Sequence, residues 1–146
     1  MKLALSSLIQ APRERVFAAL VDPAVLQRCI SGCDSLVEVA PDAYEARLKI
    51  GVAGLKGTYT GKASVSDKRP PEALTLGVDG KGSPGFVRGS AAIALTEEGG
   101  ATRVACDADV QVGGLIAAVG SRLIEAAAKK LADDFFRQLS TVLQAT

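Results

Sequence analysis

The sequence predicts an α+β protein in which a curved antiparallel sheet of about six to seven strands packs against one long helix. Three observations indicate this fold. Apolar residues recur with a period of two over most of residues 35–112, as in strands with one wet face. Two short helical segments follow the first strand, and an amphipathic stretch follows the last. Because short turns join the strands, we expect one domain over residues 1–146, with the last helix across the concave face.

The amino-terminal third supplies the first strand and both short helices. Lys2 to Ile9 is predicted to be a strand, and Pro12 begins a helix over residues 13–20, where its missing N–H is harmless. Asp22 then provides a good N-cap for a second helix over residues 24–30.

The central part alternates between inward apolar and outward polar residues. The clearest run has its predicted inward residues at Leu55, Gly57, Tyr59, Gly61, Ala63 and Val65. Residues 79–86, with the sequence DGKGSPGF, are predicted to be a glycine-rich connection, and residues 97–101 a hairpin loop.

The last helix is predicted from QVGGLIAAVGSRLIEAAAKKLADDFF, residues 111–136, with Gly113 and Gly114 ending the sheet and starting the helix. At 100° per residue, one side of this helix is apolar. That side holds Ile116, Gly120, Leu123, Ile124, Ala127, Leu131, Phe135 and Val142. The opposite side carries the pairs Glu125–Lys129 and Asp133–Arg137 at helical i,i+4 spacing.

Small residues dominate both surfaces that should meet. Gly and Ala are frequent on the inward strand positions and on the facing side of the helix. They could simply allow close contact between helix and sheet. Because protein interiors are densely packed and a curved sheet cannot follow a straight helix, an apolar cavity between them is the other interpretation. Its predicted ligand-binding residues are Leu48, Ile50, Tyr59, Leu76, Gly85, Phe86, Ile116, Val119, Gly120 and Leu123, with Tyr59 as the polar group.

Two further apolar residues, Leu115 and Val119, fall near the charged side of the helix. They could be scattered surface residues, which are common. Alternatively, they form the mouth of the cavity together with residues 84–86 and contact a ligand, a partner or a membrane surface.

Several functions are disfavoured by composition. The chain has no histidine, which excludes Ser-His and Cys-His catalysis and zinc sites with a His ligand. Its net charge of +1 does not indicate the basic surface of a nucleic-acid-binding protein. Cys29, Cys33 and Cys106 match neither a disulfide framework nor a C-x-x-C motif, and we identify no metal site and no cofactor motif. We expect a cytoplasmic protein, with contact at the inner face of the membrane left open.

Four segments resemble the G-subunit family of carbon monoxide dehydrogenase, which belongs to the START-like helix-grip superfamily. They are DPAVLQRCISGCDSL, KIGVAGLKGTYTG, GFVRGSAAIAL and VGGLIAAVGSRLIEAAAKKLADDFF. The resemblance covers residues 9–139. It implies the helix-grip fold, a cavity for a hydrophobic ligand under the last helix, and assistance to a molybdenum hydroxylase of the carbon monoxide dehydrogenase type at the membrane or with a quinone.

Three hypotheses follow. The first is a non-enzymatic carrier of a hydrophobic small molecule such as a lipid or an isoprenoid quinone. The second is an accessory interaction protein of a molybdenum hydroxylase without ligand transport. The third is a cyclase-type enzyme, which would need acids or bases inside the cavity that the predicted inward residues do not supply.

Overall fold

The computed structural model describes residues 1–52 and 55–144. Within them, β1 (Lys2–Ile9) is followed by α1 (Arg13–Leu20) and α2 (Pro23–Cys29). Six strands come next: β2 (Cys33–Ala40), β3 (Ala43–Ile50), β4 (Gly57–Arg69), β5 (Ala73–Gly82), β6 (Gly85–Glu98) and β7 (Ala101–Gly113). A 3-10 helix, η1 (Leu115–Val119), leads into α3 (Ser121–Gln144). Ala53 and Gly54, part of the motif KIGVAGLKGTYTG, lie outside the described residues.

The strands form one antiparallel sheet in the order β1-β7-β6-β5-β4-β3-β2. The chain therefore runs as a meander from β2 to β7, and β1 closes the far edge by pairing with β7. These findings confirm the predicted α+β class and the helix-grip arrangement. The N-cap of α2 also follows the sequence, since the Asp22 side chain accepts a 3.0 Å hydrogen bond from the Ala24 N–H.

The last helix begins later than predicted. Residues 111–113 still belong to β7, and residues 115–119 form the 3-10 turn instead of α-helix. Gly120 has φ +94, a left-handed conformation that ends the turn, and α3 starts at Ser121. The prediction of one helix from Gly114 onward was therefore wrong, because Gly120 ends one element and precedes the next.

Two other predicted boundaries differ. Residues 79–86 are mostly strand, because Gly80 and Gly82 pair with β4 and the turn is confined to residues 83–84. Leu55 precedes β4 and does not belong to it. It is nevertheless buried, since it belongs to an apolar cluster with Ile116 and Ile124. In both cases the alternation of apolar residues fails to mark where regular hydrogen bonding begins or ends.

The described residues form two separate apolar clusters. The larger one joins α1, α2, the carboxy-terminal half of α3 and one end of the sheet, and includes Ile9, Val16, Val104 and Leu139. The smaller one has its buried residues at Leu55, Ile116, Ile124 and Ala127. Along α3, the two clusters therefore occupy opposite ends of the helix.

Candidate functional site: an apolar cavity beside the larger cluster

An apolar cavity of about 370 Å³ lies between α3 and the sheet. Its position follows the strands. Five buried residues of the larger cluster line it, namely Leu36, Tyr44, Val65, Leu74 and Val104. Leu48 on β3 and Ala132 on α3 extend the lining toward Ile50 and Ile124 of the smaller cluster, no described residue of which lines the cavity. The cavity is therefore an interval beside the larger cluster that side chains leave unfilled.

Small inward-facing residues leave this interval open. Ala46 on β3 is directly opposite Gly61 on β4, which is opposite Gly80 on β5. All three line the cavity, and Ala132 does so from α3. Across these three strands the side chains are one methyl group and two hydrogens, and the helix presents only the methyl group of Ala132. These side chains are too short to meet, so a gap remains between the sheet and the helix. The small residues singled out in the sequence thus act as the walls of a cavity at this level of the sheet.

Larger apolar side chains form the remaining walls. From the helices they are Leu20, Leu26, Ile30, Phe135 and Phe136. From the sheet they include Leu48, Leu76, Val78 and Ile93. The rings of Phe135 and Phe136 meet edge to face, with centroids 5.4 Å apart. The contributions of α1, α2 and the carboxy-terminal half of α3 were missed by the sequence analysis, which placed the cavity under the first turns of the helix.

Apart from the Cys106 thiol, the polar groups described next to the cavity already have partners or face away from it. The hydroxyl of Tyr44 donates a 3.1 Å hydrogen bond to the carbonyl of Val21. Lys62 and Asp79 border the cavity with their strand backbone, because their neighbours in sequence point inward and their own side chains are on the convex face. There, Asp79 lies 3.6 Å from Arg88.

Burial keeps the Cys106 thiol and the Tyr44 hydroxyl, which both line the cavity, in their neutral forms. Burial is the main reason that the pKa of the Cys106 thiol is above its ordinary value of 9.0, and nearby Asp107 adds to the effect. Burial likewise raises the pKa of Tyr44, with smaller contributions from Glu38, Asp42 and Asp22. Both groups are therefore uncharged at neutral pH, and the cavity suits a hydrocarbon surface.

The structure brings only some of the ten predicted site residues to this cavity. Leu48 and Leu76 line it. Ile50, Ile116 and Val119 belong to the smaller cluster and do not line the cavity. Tyr59 is buried, but its hydroxyl donates a 2.6 Å hydrogen bond to the carbonyl of Leu55.

The other four lie away from the cavity for identifiable reasons. Phe86 is on the convex face with Arg88, whose guanidinium is 4.9 Å from the ring centroid, because Val87 takes the inward position on β6. Gly85 sits against the carbonyl of Gly113, where a Cβ would collide. Gly120 is exposed at the break before α3. Leu123 is 55% exposed, since Ile124 faces the interior. Ligand binding by any of the ten stays a prediction.

Two exposed leucines lie in η1 and at the start of α3. Leu115 is 75% exposed and Leu123 is 55% exposed, and we call these two residues the η1 patch. The N–H of Ile116 donates a 2.8 Å hydrogen bond to the carbonyl of Pro84, and Gly85 also lies against Ile116. Of the predicted residues 84–86, Pro84 and Gly85 therefore lie beside η1, whereas Phe86 is on the convex face with Arg88. Val119 is half-buried and packs inward, unlike Leu115.

In residues 1–52 and 55–144, no three His, Cys, Asp or Glu side chains cluster as metal ligands. Over the same residues, no helix has both the length and the apolar character needed to cross a membrane.

The fold and the cavity define a helix-grip protein with an apolar space between its sheet and its long helix. The family model for the carbon monoxide dehydrogenase G subunit, CoxG, matches residues 6–144, so the chain belongs to that family. A conserved protein from Geobacillus kaustophilus is 36% identical, with a TM-score of 0.95 over 99% of this chain and 96% of that one.

More distant structures share the fold alone. Protein Ms6760 from Mycobacterium smegmatis is 14% identical, with a TM-score of 0.76, over 99% of this chain and 91% of its own. A protein from Rhizobium leguminosarum is 17% identical, with a TM-score of 0.73, over 100% of this chain and 95% of its own. No protein with a curated function matches the chain.

Proposed function

We propose that this protein is a non-enzymatic carrier of a hydrophobic small molecule, such as a lipid or an isoprenoid quinone, and that it serves a molybdenum hydroxylase of the carbon monoxide dehydrogenase type. The observation that carries the proposal is the apolar cavity of about 370 Å³ between α3 and the sheet. Pockets of this size with apolar walls are the usual form of small-molecule sites. Membership of the CoxG family supports the choice of enzyme partner.

The affinity in this proposal comes from removing hydrocarbon from water. Each Å² of apolar surface buried contributes about 25 cal/mol before the costs of association are subtracted. The walls from Phe135, Phe136 and Leu76 provide apolar surface of this kind. Catalysis would need a positioned acid or base, whereas the cavity offers a neutral thiol and a Tyr44 hydroxyl bound to Val21.

Native mass spectrometry after gentle purification tests the carrier proposal. We expect a bound lipophilic species, released on denaturation, or uptake of an added quinone or fatty acid at a ratio of one per chain. A protein that is always recovered without such a molecule, and that takes up none when it is offered, contradicts the proposal.

A second candidate is an accessory protein that binds the enzyme without carrying a ligand. The observation that favours it is the η1 patch, since a leucine with 75% of its surface exposed is an apolar contact to offer to a partner. Leu115→Asp should then reduce co-purification with the molybdenum hydroxylase, while Lys129→Asp, on an exposed part of α3, serves as a control. Unchanged co-purification of Leu115→Asp removes this patch as the contact.

A further inference from the structure

Among the described residues, the centre of the cavity provides no free hydrogen-bond donor. The row Ala46, Gly61 and Gly80 consists of strand residues whose backbone groups serve the β3, β4 and β5 ladders. The Tyr44 hydroxyl donates to Val21, and the Cys106 thiol is a weak donor. A carbonyl, phosphate or carboxylate placed inside would lose its water without gaining a strong partner. The head group of an amphiphile is therefore excluded from this space, and only its hydrocarbon is accepted.

The size of the cavity also bears on the ligand. At about 370 Å³, it is near the lower end of the range of small-molecule sites, about 300–1,000 Å³. One hydrocarbon chain, or the first part of a longer one, suits a space of this size better than the two acyl chains of a membrane lipid do.

We propose that the cavity takes a single hydrocarbon chain, tail first, and leaves the polar head group of its ligand outside. This inference rests on the proposed carrier function and narrows it to single-chain amphiphiles. For a prenylated quinone, it places the tail in the cavity and the quinone ring outside. For a lipid, it selects a fatty acid or fatty alcohol over a diacyl phospholipid.

A chain-length series tests the inference. Isothermal titration of the purified full chain with n-alkanols and with fatty acids of 6 to 18 carbons, each below its micelle concentration, gives affinity against length. We expect about a fourfold gain for each added methylene until the chain fills the cavity, and a constant affinity for longer chains. Because the head stays outside, the alcohol and acid series should level off at the same length. Diacyl phosphatidylcholine should not bind at one per chain.

A matched pair of variants locates the chain. In Gly61→Val, the new Cβ would meet only Asp79 O and Gly80 Cα, both at 3.7 Å, so the strand accepts it and the cavity shortens. Its plateau should move to chains about three carbons shorter. Ser64→Val places the same side chain on the opposite, convex face of β4 and should leave the plateau unchanged.

The outcomes separate this inference from the carrier proposal. An affinity that keeps rising to 18 carbons, one-to-one binding of the diacyl lipid, or an unchanged plateau in Gly61→Val overturns the single-chain inference and leaves a carrier of larger ligands. Failure of every chain to bind, while native mass spectrometry shows a retained quinone, also overturns the inference alone. Failure in both experiments overturns both.

Discussion

The hydroxyl of Tyr59 donates a buried 2.6 Å hydrogen bond to the carbonyl of Leu55. This bond ties β4 to the segment that precedes it, and Leu55 packs in turn with Ile116 in the smaller cluster. Tyr59 is therefore a structural residue that supports the smaller cluster, and its donor hydrogen is not available to a ligand.

Tyr59→Phe should destabilise the protein by about 1–2 kcal/mol, because it leaves the Leu55 carbonyl buried without its partner. Ligand affinity should change less than twofold. Urea unfolding and ligand titration measure the two effects. Tyr44→Phe, which removes the bond to Val21, is the matched control at the other cluster. A Tyr59→Phe protein of full stability that no longer binds ligand would make Tyr59 the polar group that the sequence predicted.

The Cys106 thiol should respond to ligand. Because its pKa is raised by burial, it should react with iodoacetamide more slowly at pH 7.5 than free cysteine does, and the rate should rise as pH passes 9.0. Occupation of the cavity should slow the reaction further. Cys33→Ser is the background for this measurement, since Cys33 is only half-buried whereas Cys29 is fully buried. Alkylation at the same rate with and without saturating ligand would contradict binding at this cavity.

Alkaline pH should lower the free energy of unfolding. The pKa values of Cys29 and Cys106 are raised from 9.0, and those of Tyr44 and Tyr59 from 10.0, in each case mainly by burial. The folded state thus holds these protons more tightly than the unfolded chain. Their contribution is complete below pH 9 and is lost as pH rises above it. Urea midpoints from pH 7 to 11 should fall, with a smaller fall in Cys106→Ser; a constant midpoint would contradict this explanation.

The strands were predictable from the sequence because one face of the sheet is wet, so apolar and polar residues alternate over whole strands. The many small residues on both facing surfaces also indicated a cavity. The structure has one where the small residues Ala46 and Gly61 are paired across neighbouring strands. Periodicity shows which face of an element is buried. It does not show which part of α3 lies over which strand, and the cavity was therefore expected too close to the start of the helix.

The individual site residues were harder to predict. Leu123 and Ile124 are only 100° apart on a helical projection, so the sequence placed both on the apolar side of the helix. In α3, which starts at Ser121, Ile124 faces the interior and Leu123 is exposed. Phe86 directly follows a turn, where a shift of one residue in the strand reverses the face on which a side chain lies. Because Val87 is the inward residue of β6, its neighbour Phe86 must point outward, and the sequence already contained this signal.

The most direct test of the central claim is to fill the cavity. Ala132→Leu places three more carbons from α3 in the space, which should stabilise the ligand-free protein by up to about 2 kcal/mol and raise its Tm by roughly 4–8 °C. Ala126→Leu adds the same side chain on an exposed part of α3 and is the control.

Titration with dodecanoic acid should then show binding by the native protein and by Ala126→Leu, and a loss of at least tenfold in Ala132→Leu. Native affinity in a folded Ala132→Leu protein would contradict the claim that the space between α3 and the sheet is the binding site.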